Sequence, residues 1–228
     1  MTSKPTHDLM HGLIHGCQIC GCQGLEHILD LGHQPPCDSL LTSAQLDMAE
    51  VSYPLRFLRC PECSLAQIDY AVPPEILFYK EYPYRSGITP TLAKNLRSTG
   101  FKAIERFSLS TNDLAIDIGS NDGTLLSSFS EKGLRVLGVE PTNIAQIAIA
   151  NGIPTIQGFF SEEVARKIVA EHGHASVVTA ANMFAHVAGL GSLIRGVEYL
   201  LKDGGMFISE SHYLPDLLET GKFLPFAA

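Results

Sequence analysis

The chain has 228 residues, 45% of them apolar, and a formal net charge of −8. That length suits one large domain or two small ones around a real core. The acidic balance and the lack of any Lys/Arg-rich run argue against a nucleic-acid partner held by phosphate neutralisation. The N-terminal stretch MTSKPTHDLMHGLIHGC has no apolar run long enough for a signal peptide. No run of about 18 apolar residues occurs, so no membrane span is expected and the expected location is cytoplasmic. Cysteines in that compartment serve as thiols or metal ligands rather than disulfides.

All six cysteines, Cys17, Cys20, Cys22, Cys37, Cys60 and Cys63, precede residue 64. The first 85 residues are also rich in turn signals such as LGHQPP and AVPPE, which predicts short strands and loops there. Two C-x-x-C pairs stand out, CQIC (Cys17, Cys20) and CPEC (Cys60, Cys63). Zinc takes four tetrahedral ligands, and two thiolate knuckles close a four-cysteine site with no open position, so the expected role is structural. The gap between the knuckles, residues 21–59, is longer than in a usual zinc ribbon, and Cys22 could take the place of Cys20. A redox dithiol would sit at a helix N-terminus in a βαβ context, which neither pair does.

From residue 89 the texture changes. TPTLAKNLRSTGFKAIERF predicts a helix over 89–107, with Thr89 at the N-cap and Pro90 at the first helical position. Strand-like runs follow at 113–119, 135–140, 153–158, 175–180 and 205–211, with helical patterns at 123–132, 142–151, 161–172 and 189–202. Apolar strands alternating with amphipathic helices predict a parallel, doubly wound α/β sheet. The expected organisation is a zinc-binding domain over 1–85 and a Rossmann-like domain over 86–228.

The first strand runs into DIGSNDGT, a D-x-G-x-N-x-G turn carrying Asp117, Gly119, Asn121 and Gly123. A turn between a parallel strand and a helix suits a nucleotide-type ligand. The pattern is not the G-x-G-x-x-G of a dinucleotide site, and a carboxylate before the first glycine would repel phosphate. It would suit a cation such as the ammonium of a methionine moiety. Glu140 ends the next strand, 21 residues after Gly119, where an acid accepts ribose hydroxyls. Together these favour S-adenosylmethionine over NAD. The plainer reading is a β–turn–helix with Asp122 capping the helix.

Several segments together, CQICG, CPECSLAQ, EYPYRSG, DIGSNDGTLL, GVEPTNIAQIA, ANMFAHV and LLKDGGMFISESHYLPDLL, resemble the zinc-containing, S-adenosylmethionine-dependent C-methyltransferases of deoxysugar biosynthesis. The resemblance runs from about Cys17 to about Phe223. It implies nucleotide-linked keto-sugar substrates, typically dTDP-4-keto-deoxyhexoses, methylated at sugar carbon 3. That carbon lies beside the 4-keto group, so a base can remove its proton and the stabilised enolate can attack the sulfonium methyl. Carried onto this chain, the resemblance implies a cofactor cradle of Asp117, Gly119, Asn121 and Glu140. Tyr84 and Ser86 would close over it, and Asn182 and Met183 would border it. His186 would face the sugar, and His212 and Tyr213 could approach the same pocket. Without the family, a histidine after an apolar strand is more often structural than catalytic.

The family pattern continues past LLETGKF into a Tyr-His-Glu-His type motif that supplies a base. This sequence reads KFLPFAA and stops. The resemblance therefore implies that proton abstraction would fall to His186, His212 or solvent, with little turnover. A methyltransferase sheet of order 3-2-1-4-5-7-6 would lack its last two strands here. Strand 5 would then be an apolar edge open to self-association. The competing functions are a zinc- and cofactor-binding module without turnover and a methyltransferase of another acceptor class.

Overall fold

The computed structural model describes residues 11–79 and 81–221. The KFLPFAA end, residues 222–228, lies outside the described residues. The chain packs as two units. One comprises residues up to 79, residues 188–191 and those from 212 onward, and the other spans 80–187 and 192–211.

The first unit is built from short antiparallel strands. β1 (Gly12–Leu13) pairs with β5 (Tyr70–Ala71), while β2 (Glu26–Gln34), β3 (Tyr53–Arg59) and β4 (Ala66–Ile68) form a three-stranded sheet in that order. Short strands cannot bury much apolar area, so polar anchors recur. Gln67 of β4, 7% exposed, accepts the Gln18 N–H at 2.9 Å and donates to the Gly16 carbonyl at 3.2 Å, fixing the first cysteine loop to the sheet. The Arg56 guanidinium pairs with the largely buried Asp69 carboxylate at 2.9 Å. α1 (Pro74–Leu77) ends this segment, and α7 (Leu214–Thr220) belongs to the same unit.

The second unit opens with α2 (Pro90–Phe107). Thr89 holds the N-cap position in extended backbone, but its hydroxyl caps nothing. Then follow β6 (Leu114–Ile118), α3 (Thr124–Glu131), β7 (Arg135–Glu140), α4 (Ala145–Ala150), β8 (Thr155–Gln157), α5 (Glu162–His172), β9 (Ala175–Ala181), α6 (Leu190–Leu200) and β10 (Leu201–Glu210). The five strands are all parallel, in the order β10-β9-β6-β7-β8. In the chain order of the strands this is 5-4-1-2-3, the order expected for a methyltransferase sheet as far as it goes. β10 starts four residues before the expected strand. Its register shifts between Leu201 and Met206, where Gly204 takes φ +72.

β6 is buried at every residue because strands flank it on both sides and helices cover its faces. Leu96 and Ala103 of α2, Leu125, Leu126 and Phe129 of α3, and Ala115 and Val177 of the sheet share one core cluster. At the opposite end of the strands from the glycine turn, Asp113 accepts from the Lys202 ammonium, Ser176 and Ser110. These bonds hold its carboxyl well below the usual carboxylate range.

Candidate functional site

Two separate sites emerge, one in each unit. In the first, the four Sγ atoms of Cys17, Cys20, Cys60 and Cys63 all lie within 4.8 Å of one another. Cys17 and Cys63 are 3.4 Å apart and Cys20 and Cys60 3.5 Å. A zinc tetrahedron with ~2.3 Å bonds has edges of about 3.8 Å, so the donor set and spacing fit zinc.

The two knuckles are built alike. The Gly21 N–H returns to the Cys17 carbonyl at 2.9 Å, and the Ser64 N–H returns to the Cys60 carbonyl at 3.0 Å. The Cys17 N–H reaches the Cys22 carbonyl, and the Cys60 N–H the Leu65 carbonyl, both at 2.8 Å. Gly21 and Ser64, in matching positions, are both left-handed at φ +76 and +62. Cys22 therefore corresponds to Leu65, which has no ligand to give. Cys20 is the member of the cluster, while Cys22 and Cys37 stand outside it. The backbone N–H of Cys63 is the main cause that lowers the Cys60 thiol to about 6, against its burial and with help from Cys20. Against their backbone hydrogen bonds, the Cys20 and Cys63 thiols are raised, Cys20 to about 12, by hydrogen bonds they share with other cysteines and by burial, so a bound metal ion would have to ionise them.

The second site lies at the carboxyl ends of the parallel strands. Asp117 is the fourth residue of β6, 3% exposed, and accepts the Thr179 hydroxyl at 2.6 Å. Burial lifts its carboxyl to about 7, the Thr179 bond opposes the rise, and the Glu140 charge adds to it. Glu140, 5% exposed, ends β7. Its Oε2 accepts the Asn121 N–H at 3.0 Å, and its Oε1 accepts the Thr142 N–H and hydroxyl at 2.9 and 2.6 Å. These bonds fix the carboxylate beside the glycine turn.

Gly119 takes φ +71, and a Cβ there would lie 2.7 Å from Met183 Cγ. The turn after β9 thus packs directly on the glycine turn. Gly123 takes φ +79 and presses on Ile153, where a Cβ would come within 3.0 Å. Asp122 accepts the Thr124 N–H at 3.2 Å and its hydroxyl at 2.6 Å, so its carboxylate does hold the first turn of α3. Ser120 Oγ is buried without a hydrogen-bond partner. An orphan polar atom in such a turn is one that bound water or ligand satisfies.

Asn121 does something the sequence did not reveal. Its backbone is left-handed at φ +51, and its side chain turns to the segment 84–86. Oδ1 accepts the Ser86 N–H at 2.8 Å and Nδ2 donates to the Tyr84 carbonyl at 3.3 Å. Asp122 accepts the Gly87 N–H at 2.8 Å, and Asn143 the Tyr82 N–H at 3.1 Å. The main chain of 82–87 is thus strapped to the ends of β6 and β7 by three side chains. Gly87 permits this, because a Cβ there would lie 2.6 Å from Asp122 Oδ2.

Asn182 and Met183 follow β9, and His186 closes a 3-10 turn, Phe184–His186, with its N–H on the Met183 carbonyl at 2.9 Å. Tyr84, Ser86, Asp117, Gly119, Asn121, Glu140, Asn182, Met183 and His186 therefore all belong to the second unit. His212 and Tyr213 belong to the first, and Tyr213 is 73% exposed. The donor set suits a cationic, ribose-bearing cofactor. It has two buried carboxylates on adjacent strands, a glycine turn between them and an unpaired buried hydroxyl.

No helix among the described residues is long and apolar enough to cross a membrane. Residues 92–226 match a family model described as "Methyltransferase domain", and residues 17–78 one described as "Putative zinc binding domain". The C-methyltransferase NovU of Streptomyces niveus is 31% identical over 211 residues, which is 92% of this chain and 50% of that protein. The chain thus spans about half the length of this curated relative. The PH0226 protein of Pyrococcus horikoshii OT3 superposes with a TM-score of 0.51 at 18% identity, covering 61% of this chain and 67% of that one, and shares the fold. With its 5-4-1-2-3 sheet, glycine turn and four-cysteine cluster, the chain belongs to the methyltransferase domain family and carries a zinc-binding domain ahead of that fold.

Proposed function

We propose that this chain is the zinc- and cofactor-binding portion of a C-methyltransferase that acts on a nucleotide-linked keto-deoxysugar, methylating carbon 3. The single observation that carries the reading is the pairing of buried Asp117 and Glu140 on adjacent strands around one glycine turn. The likeness to a C-methyltransferase over 92% of the chain supports the carbon acceptor. S-adenosylmethionine supplies an electrophilic methyl on a sulfonium. Asp117 meets the ammonium of the methionine moiety, which restores the carboxylate charge that burial disfavours. Glu140 would receive a ribose hydroxyl on Oε2, which accepts only the Asn121 N–H, while Oε1 is taken by the Thr142 N–H and hydroxyl. The 82–87 strap, Asn182 and Met183 wall the site and limit water. His186 lies toward the acceptor, where it takes the proton from carbon 3 or orients the keto oxygen as the enolate forms.

Calorimetric titration of the zinc-loaded chain with S-adenosylmethionine tests the cofactor site. Saturable one-site binding is expected, with Asp117→Ala and Glu140→Ala each weakening it by about tenfold or more. No binding by a folded chain would remove the assignment. A methyl-transfer assay with a dTDP-4-keto-deoxyhexose separates turnover from binding alone. Product above the buffer control, lost in His186→Ala, means that the chain is a catalyst.

A further inference from the structure

Glu210 closes β10 at the same edge of the sheet, and none of the roles above uses it. Its carbonyl accepts the Asn182 N–H at 2.7 Å, extending the β9–β10 ladder by one residue. Its carboxylate reaches in two directions. Oε1 accepts from Asn182 Nδ2 at 3.3 Å, and Oε2 from Asn95 Nδ2 of α2 at 3.2 Å. Both oxygens therefore anchor carboxamides, and bonds to an ionised acceptor are the stronger kind.

Asn182 is the residue that turns the chain out of β9. It is left-handed at φ +53, a conformation asparagine tolerates better than most residues. Directly after it comes Met183, packed on Gly119, and then the turn that presents His186. Glu210, Asn182, Met183 and Gly119 thus form a continuous line of contacts from the outermost strand to the glycine turn.

We propose that Glu210 is a positioning residue: by gripping Asn182 it sets Met183 against the glycine turn and sets the direction of His186. The proposal rests on the reading of the glycine turn as the cofactor site. Glu210 occupies the end of β10 as Glu140 occupies the end of β7, but where Glu140 accepts from backbone N–H groups, Glu210 accepts from two side-chain carboxamides.

The test uses the full zinc-loaded chain with Glu210→Gln, Glu210→Ala and Asn95→Ala. Two readouts are taken, the ring resonances of His186 and the affinity for S-adenosylhomocysteine. Glu210→Ala is expected to move the His186 resonances and to weaken the affinity about tenfold, with little change in the thermal midpoint. Glu210→Gln keeps one acceptor oxygen for Asn182 and is expected to recover most of the affinity. Asn95→Ala is expected to have the smaller effect. Unchanged His186 resonances and affinity in Glu210→Ala would overturn the proposal. Were Glu210→Ala not to fold, Asn182→Gly keeps the left-handed backbone, removes the gripped amide and is expected to give the same two changes. A wild type that binds no S-adenosylhomocysteine would sink the cofactor reading alone, and the His186 resonances would still decide the role of Glu210.

Discussion

At the scale of one residue, burial changes the acidity of Asp117. Its folded carboxyl titrates at about 7 against 3.8 for an ordinary aspartate, with burial the first cause. Between those values the folded chain holds a proton that the unfolded chain has released. Stability therefore falls as pH rises from about 4 to 7 and levels off above, by an amount on the order of 4 kcal/mol. Asp117→Asn is expected to unfold like wild type at pH 4 and at a higher temperature at pH 7.5, as read by thermal melts across pH. Ligand binding should run the other way. An ammonium partner needs the ionised carboxylate, so affinity for S-adenosylhomocysteine should climb as pH passes through 7 in wild type and stay flat in Asp117→Asn. The carboxylates Asp117 and Glu140 were legible in the sequence because a strand end and a glycine turn announce them. The duty of Asn121 was not, since residues 121 and 84–86 are distant in sequence and meet only through folding. Asn121→Gly removes the side chain while suiting φ +51. It is expected to speed amide hydrogen exchange at Ser86, with Gly87 still held by Asp122.

Among the elements, the packing of α2 on α3 shows one residue deciding how closely two helices approach. Gly100 lies in the interior of α2, where alanine is favoured by about 1 kcal/mol on helix propensity. Yet a Cβ at Gly100 would overlap the Oγ of Ser128, which is fully buried and bonded to the Leu125 carbonyl. Overpacking of this kind costs about 1–3 kcal/mol. Gly100→Ala is therefore expected to destabilise by up to about 2 kcal/mol despite the propensity gain, and Ser128→Ala added to it is expected to recover most of the loss. Denaturant melts of the two variants check both steps. The helix and strand spans were largely legible in advance, because apolar runs and amphipathic periods of useful length alternate after residue 89. The early start of β10 was not. Leu201 and Lys202 fall in the helical pattern read over 189–202, and only pairing of Leu201 with Ala175 draws them into the strand.

For the whole molecule, the two units carry different sources of stability. The parallel sheet has a large apolar core. The cysteine unit has short strands and a four-thiol cluster, so metal binding is expected to supply much of its folding energy. One zinc per chain is the expected stoichiometry by elemental analysis. Cys60→Ser should lose it, while Cys22→Ser and Cys37→Ser should keep it. A strong chelator is expected to raise amide exchange across residues 11–79 and to leave α2, α3 and β6 protected. β10 has no strand on its outer side among the described residues, and Met206, Phe207 and Ile208 are only half-buried.

The sequence by itself determined the parallel α/β class, the position of the glycine turn and the two C-x-x-C pairs, because each depends on periodicity or on residues a few places apart. It also carried the carboxylates Asp117 and Glu140 beside that turn, since strand ends are readable locally. Tertiary structure alone decided that Cys20 rather than Cys22 joins the four-thiol cluster, that Asn121 and Asp122 strap the 82–87 segment, and that Glu210 grips Asn182 and Asn95. These are contacts between segments roughly 30 to 115 residues apart, or equivalences between two folded knuckles. Hydrogen bonds of that kind are selected by distance and direction in the folded chain, and no local pattern encodes them.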